Sequence, residues 1–337
     1  MKKTYIIAEA GVNHNGSVDL AIELISKAKE AGADCIKFQT FKAEQIVTQT
    51  SPKANYQLLV TDSNESQFEM LKKLELKMVH YPLLLNYCKK IGIDFISTPY
   101  NFEDVDFLDS LEIESFKIAS GQLTEIPFLK HAARKMKKMI ISTGMANMSE
   151  VFLAVEAIRT EGNDDIIVLQ CTTNYPSKIE DANLLAMLSI KDACKVRIGY
   201  SDHVENNYAC IASVALGAVV VEKHFTLDKN MEGPDHSCSL EPFEFKELVT
   251  GIRNVELALG NGLKIPSKAE MDNSFGMKRS IVAITKIRKG EMISNEQIGF
   301  KRPFNGLSPN ILSNILGKEA IKDIEKDEPI QYNSIKW

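Results

Sequence analysis

In this sequence, residues able to do chemistry recur at one kind of place, the ends of short β-rich runs. In chain order these ends offer Glu9; Lys37 and Gln39; Ser97 and Thr98; Lys117 and Ser120; Ser142 and Thr143; the stretch from Cys171 to Asn174; Ser201, Asp202 and His203; and Glu222 to His224. Lys37 and Lys117 sit inside the apolar runs Cys35-Ile-Lys-Phe-Gln39 and Phe116-Lys-Ile-Ala119, where an ammonium must find a partner or suffer desolvation. Two lysines and several hydroxyls around one mouth suit a phosphate, lysine supplying point charge and Ser, Thr and backbone N–H groups supplying directed donors. His203 and His224 end neighbouring runs and are the natural ligands of a divalent ion, Mn2+ or Mg2+, because imidazole and oxygen ligation with open positions suits a Lewis acid. Glu9 adjoins a turn-rich loop expected to bring Asn13 and His14 to the same rim, and a carboxylate beside a metal can bind its water or move protons. Asp202 is placed to orient a ligand histidine. His80, His131 and His236 have no such neighbours and read as structural or solvated.

The elements that must position these residues are strands 5–9, 34–39, 93–97, 115–119, 138–142, 165–171, 196–201 and 218–224. Between them lie stretches with helical apolar spacing, such as 18–31 and 151–159, and this alternation implies parallel strands with crossover helices. Eight such units in about 260 residues predict a (β/α)8 TIM barrel, whose strand ends converge on one rim, with an open doubly wound sheet as the alternative. The segment from Thr40 to about Glu65 is too long for an ordinary βα loop, and the segment from Thr226 to Cys238 is rich in Gly, Pro and charge, so both are expected on the catalytic face. After Gly260 the character changes. The expected organisation is a barrel over 1–262, a Gly/Pro-marked linker over 263–279 and a small mostly-β domain over 280–337. Within that domain Ile287-Arg-Lys-Gly-Glu-Met-Ile293 and Ile324-Glu-Lys-Asp-Glu-Pro-Ile330 match at Ile, Lys, Glu and Ile, which suggests internal pseudo-symmetry.

Bulk composition excludes several functions. The 337 residues are 44% hydrophobic and 25% charged with a formal net charge of -5, a poor balance for sequence-independent nucleic-acid binding, which needs a clustered basic surface. No stretch approaches the roughly 18 uninterrupted apolar residues of a membrane span, and the N-terminal apolar stretch is too short for a secretory signal. The six cysteines are scattered without a C-x-x-C pair, which fits neither a disulfide framework nor a zinc knuckle and points to a reducing cytoplasm.

Taken together, the motifs resemble those of the bacterial N-acetylneuraminate (sialic acid) synthases and their legionaminate-making relatives. The resemblance rests on Ile7-Ala-Glu-Ala-Gly-Val-Asn-His-Asn-Gly16, Ile36-Lys-Phe-Gln-Thr40, Ser97-Thr-Pro, Phe116-Lys-Ile-Ala-Ser-Gly121, Ser142-Thr-Gly-Met145, Tyr200-Ser-Asp-His203, Glu222-Lys-His-Phe225 and Gly233-Pro-Asp235. The stretch from Arg279 to Trp337, with Lys301-Arg-Pro303, resembles their antifreeze-like SAF (β-clip) domain. The resemblance implies a metal-dependent condensation of phosphoenolpyruvate with an N-acetylated amino sugar. His203 and His224 would hold the metal; Lys37, Lys117, Thr98, Ser120, Ser142 and Ser201 would surround phosphoenolpyruvate, with Thr173, or Asn174 beside it, in the place of a phosphate-contacting asparagine; Glu9, Gln39, Tyr175 and Asp235 would face the sugar or its reacting centre. It also implies a homodimer in which the small domain delivers Arg302 to the partner's barrel.

The chain departs from the sialic-acid branch at Lys37-Phe-Gln-Thr-Phe41, where that branch commonly reads Lys-His-Gln-Thr-His, and at Gln122, where it has an acidic residue. Phe38 and Phe41 in place of polar residues, and a Gln122 amide able to donate to an acetamido carbonyl, favour 2,4-diacetamido-2,4,6-trideoxymannose as the sugar, with N-acetylmannosamine as the alternative. A Schiff-base aldolase using Lys117 or Lys37, and a non-catalytic sugar-binding protein, are the more distant alternatives.

Overall fold

The computed structural model describes residues 3–54, 57–58, 61–62 and 65–337. Met1 and Lys2, and residues 55–56, 59–60 and 63–64 of the long segment expected after the second strand, lie outside the described residues. Contacts divide the chain into two compact units, Met1–Asn261 and Gly262–Trp337.

The first unit holds eight strands: β1 (Tyr5–Gly11), β2 (Cys35–Thr40), β3 (Asp94–Pro99), β4 (Ser115–Ile118), β5 (Lys138–Ser142), β6 (Ile166–Cys171), β7 (Arg197–Asp202) and β8 (Val220–His224). Each matches one predicted run within about two residues at either end, the usual scatter of such boundaries. Their hydrogen-bonded order is β3-β2-β1-β8-β7-β6-β5-β4, every pairing is parallel, and β3 and β4 lie in contact, so the sheet closes into the predicted TIM barrel.

Crossover helices form where an apolar stripe follows a cap. Val18–Glu30 starts at Ser17, whose hydroxyl accepts from the Leu20 N–H, and buries Ala21, Leu24, Ile25 and Ala28. Met148–Arg159 starts at Asn147, whose side chain accepts from the Ser149 and Glu150 N–H groups. These helices and the outer faces of the strands share one large apolar core, each fully buried Leu, Ile or Phe contributing about 1.5–3 kcal/mol. A smaller cluster of Ile7, Cys35, Ile96, Ile140, Ile167, Leu169 and Val220 fills the barrel interior.

The second unit contains the helix Lys268–Met277, within the stretch read as a linker, and an antiparallel pair, β9 (Ser280–Ala283) with β10 (Ile298–Lys301). Ile287 and Ile324, the first residues of the two matching segments, exchange both backbone hydrogen bonds at 2.9 and 2.8 Å, so the sequence repeat is a paired structural one. Its core is almost all isoleucine, including Ile281, Ile287, Ile293, Ile315, Ile324 and Ile330. Among the described residues no helix is long and apolar enough to cross a membrane.

Candidate active site at the barrel mouth

Period-two alternation decides which strand residues enter the barrel. On β2, Ile36 and Phe38 pack outward into the helix-covered core, whereas Lys37 and Gln39 line a cavity at the mouth; on β4 Phe116 and Ile118 pack outward while Lys117 lines the cavity. The same parity puts Glu9, Thr98, Ser142, Cys171, Ser201, Glu222 and His224 into that cavity, above the apolar interior cluster. Packing beneath them is tight at β7: a Cβ on Gly199 would meet the Val220 carbonyl oxygen at 2.4 Å and Leu169 Cδ2 at 2.5 Å, so only glycine fits. The cavity holds about 380 Å³.

A buried charge network lines its floor. Lys37 Nζ lies 2.8 Å from Glu9 Oε1 and donates to Thr98 Oγ1 at 3.2 Å, and Lys117 Nζ donates to Ser142 Oγ at 2.7 Å. Glu222 Oε1 lies 3.6 Å from both ammonium nitrogens and accepts from Ser201 Oγ at 3.1 Å, so one carboxylate spans the two lysines. Burial pushes the Glu9 carboxyl up to about 7, only partly countered by Lys37. Glu222 is held below the ordinary range, because its burial is outweighed by Lys117 and Lys37. Burial pushes Lys117 down, whereas Glu222 and Glu9 outweigh burial at Lys37 and hold it up. Burial also raises Asp235 to about 6.

Beside this floor, Ser120 Oγ accepts from the Gly144 N–H at 3.0 Å, and a Cβ on Gly144 would meet Thr173 Oγ1 at 1.9 Å. Thr173 Oγ1 is buried without a hydrogen-bond partner among the described residues. Two ammonium groups, the hydroxyls of Ser120 and Ser142 and an unsatisfied threonine hydroxyl therefore face one space, the donor set a phosphate requires.

His203 and His224 meet at the same mouth, ring centroids 5.3 Å apart, with the Tyr175 ring 4.1 Å from that of His203. His203 Nδ1 lies 2.7 Å from the Thr172 carbonyl oxygen and can only donate to it, so the neutral ring carries its lone pair on Nε2; burial opposes protonation here, but Cys171, the Thr172 carbonyl and Asp202 outweigh it and hold this imidazole above its ordinary range. His224 Nδ1 is buried without a hydrogen-bond partner among the described residues, 3.9 Å from Asp235 Oδ2, and burial pushes this imidazole well below its ordinary range, so it is neutral. Among the described residues no group of three or more His, Cys, Asp or Glu side chains forms a metal cage. Two neutral-capable imidazole nitrogens on adjacent strands fit an ion that takes its remaining ligands from substrate and water.

The barrel residues expected to hold the metal or the substrates all line the cavity: Glu9, Lys37, Gln39, Thr98, Lys117, Ser120, Gln122, Ser142, Thr173, Tyr175, Ser201, His203, His224 and Asp235. Arg302 belongs to the second unit, where it is exposed with no ion pair or hydrogen bond among the described residues. Three expectations are corrected. Phe38 points away from the cavity, its ring 5.7 Å from that of Phe95, because it has the opposite parity to Lys37; Phe41 does line it. Asp202 also has outward parity: it pairs with Lys223 at 2.7 Å, both side chains fully buried, and does not orient His203. Asn13 turns from the rim to donate to the Phe225 carbonyl and to Ser239 Oγ, both at 2.9 Å, and His14 accepts from the Gly16 N–H at 3.0 Å. One N–H of the Gln122 amide donates to the Tyr100 carbonyl oxygen at 3.1 Å, which leaves the other as a possible donor. Sequence reasoning placed Glu222 at the rim without a role and missed Tyr100, Met70 and Leu71; parity with His224 was the signal for Glu222.

The chain is similar to known proteins over nearly its whole length. The NeuB family pattern matches residues 24–264 and the SAF domain pattern residues 278–336. An N,N'-diacetyllegionaminic acid synthase from Campylobacter jejuni is 48% identical over 333 residues, covering 98% of this chain and 100% of the relative. A protein of the same name from Legionella pneumophila is 42% identical, covering 98% of this chain and 94% of the relative. A crystal structure of an N-acetylneuraminic acid (sialic acid) synthetase from Leptospira borgpetersenii superposes with a TM-score of 0.72 at 32% identity, covering 81% of this chain and 90% of that one.

Proposed function

The chain belongs to the NeuB family, and from that premise we propose that it condenses phosphoenolpyruvate with an open-chain N-acetylated amino sugar, releasing phosphate and forming a nonulosonic acid of the legionaminate type. The observation that carries the reading is that Lys37, Lys117 and the Thr173 hydroxyl, which has no hydrogen-bond partner among the described residues, line the same cavity as His203 and His224. The favoured sugar is 2,4-diacetamido-2,4,6-trideoxymannose. N-acetylmannosamine is the alternative.

His203 and His224 would hold a divalent ion, Mn2+ or Mg2+, and such an ion supplies Lewis acidity toward an aldehyde oxygen. The chain's own residues do the rest. Lys117, Ser142, Ser120 and Thr173 bind the phosphate, and Lys37 stabilises its charge throughout. C3 of phosphoenolpyruvate bonds to the aldehyde carbon, whose oxygen takes a proton and becomes a hydroxyl; water adds at C2 and loses a proton, and the C–O bond to phosphate breaks as the C2 hydroxyl gives up its proton and becomes the keto group. Glu9, raised to about 7 by burial, takes the proton that the adding water loses. Asp235 and Gln39 face the sugar beside it.

A second reading, a Schiff-base reaction, is favoured by one observation: burial pushes Lys117 down, the direction that frees an amine nucleophile. Borohydride with pyruvate would trap that adduct. We further propose a homodimer in which Arg302, free of partners among the described residues, reaches the other subunit's barrel. The six cysteines are all unpaired, which suits a reducing cytoplasm. Incubating the protein with phosphoenolpyruvate, Mn2+ and each sugar tests the reaction; a nine-carbon 2-keto acid with the acetamido groups intact is the expected product, and its absence with every aldose removes the reading.

A further inference from the structure

One wall of the cavity takes no part in the chemistry above. Val12, Phe41, Met70 and Leu74 form an apolar cluster of their own, with Ile46, Leu71 and Tyr100 packed against it, separate from the core around the strands. All but Leu74 line the cavity. Met70 and Leu71 come from the helix Gln67–Lys73 of the long excursion after β2, which starts at a capping box on Ser66 and Glu69 and so holds a defined face toward this cluster.

On the turn after β4, Gln122 lines the same cavity and is 4% exposed. Its Nε2 donates to the Tyr100 carbonyl oxygen, and because a carbonyl only accepts, this contact fixes which end of the amide is which. Gln122 Oε1 is left buried with no hydrogen-bond partner among the described residues. A bare acceptor in a closed wall calls for a donor from whatever fills the cavity. A hydroxyl turned toward the neighbouring apolar face would lose its water without replacement, whereas a methyl would not. One acceptor beside an apolar face therefore matches a sugar that carries amide N–H and methyl groups where an ordinary hexosamine carries hydroxyls.

Building on the synthase reading, we propose that Gln122 and Leu71 set the sugar specificity. Gln122 Oε1 accepts the N–H of an acetamido group, and the face of Ile46, Met70 and Leu71 receives the methyl ends of a 6-deoxy, doubly acetamido sugar. Gln122 thus acts through its oxygen, the reverse of the donor role expected from sequence.

The test is kcat/KM of the full-length protein on 2,4-diacetamido-2,4,6-trideoxymannose and on N-acetylmannosamine, with Mn2+ and saturating phosphoenolpyruvate, for the wild type, Gln122→Met and Leu71→Gln. The ratio of the two values is independent of how much enzyme is correctly folded. The wild type is expected to prefer the diacetamido sugar, and each variant to lower the ratio about tenfold or more while the KM for phosphoenolpyruvate stays within about twofold. A wild-type preference for N-acetylmannosamine overturns the assignment and leaves the synthase reading standing. A ratio unchanged in either variant removes that residue from it. A wild type that releases no phosphate with either sugar removes the synthase reading and this inference with it.

Discussion

Lys37 Nζ lies 2.8 Å from Glu9 Oε1, and the two side chains are only 5% and 3% exposed. Removing the lysine takes the ammonium away from the buried carboxyls of Glu9 and Glu222. Breaking a buried pair in this way costs about 3–5 kcal/mol. Lys37→Met is therefore expected to lower the urea midpoint as well as to weaken phosphoenolpyruvate binding, and adding Glu9→Gln should restore part of the lost stability. A single variant with the wild-type midpoint would show that the pair is not the buried one described.

The pH profile should carry the signature of Glu9. Its carboxyl is raised to about 7 by burial, so the fraction present as carboxylate, the form that accepts a proton, falls as pH drops through 7. Turnover is expected to decline on that acid side, tending toward tenfold per pH unit well below 7. Glu9→Gln should be slow and should lack this limb. The idea is lost if the variant keeps the wild-type acid limb.

Loss of either imidazole should abolish ion binding at the mouth. His203→Ala and His224→Ala are each expected to weaken Mn2+ binding by at least about 100-fold in titration calorimetry, since even residues that only orient a ligand cost 10–100-fold. Chelation of the wild type should stop turnover and readdition of Mn2+ restore it. Unchanged Mn2+ affinity in either variant would remove that histidine from the ligand set.

Much of this site was legible because parallel strands write their function at their ends. The eight runs, the two lysines inside apolar segments and the paired histidines needed only the β-rich stretches and their order. Facing was the harder property. Phe38, which comparison with the sialic-acid branch places toward the sugar, and Asp202, which lies between Ser201 and His203 in sequence, both face away from the mouth, because a strand turns neighbours to opposite faces. Applied to β8, the same parity brings Glu222 inward with His224 and sends Lys223 outward to Asp202. Met70 and Leu71 were out of reach for a different reason: the excursion after β2 has no strand period, and only tertiary packing on Val12 and Phe41 carries that helix to the mouth.

Arg302 provides the test of assembly. If the small domain of one subunit serves the barrel of the other, Arg302→Ala and His224→Ala proteins, each inactive alone, should regain activity when mixed under exchange, because one site of each hybrid then pairs an intact barrel with an intact arginine. Recovery toward a quarter of wild-type activity is expected when about half of the dimers are hybrids, each with one working site. Verified hybrids that stay inactive would rule the arrangement out.

The most direct measurement of the central claim is phosphate release from phosphoenolpyruvate by the metal-loaded protein, followed with and without an N-acetylated aldose. Release that requires both the aldose and the divalent ion, and falls at least about 100-fold in Lys117→Met, is the predicted result, because the floor built on Lys117, Ser142 and Glu222 is assigned to the phosphate. Release that proceeds without an aldose, or that survives intact in Lys117→Met, would contradict it.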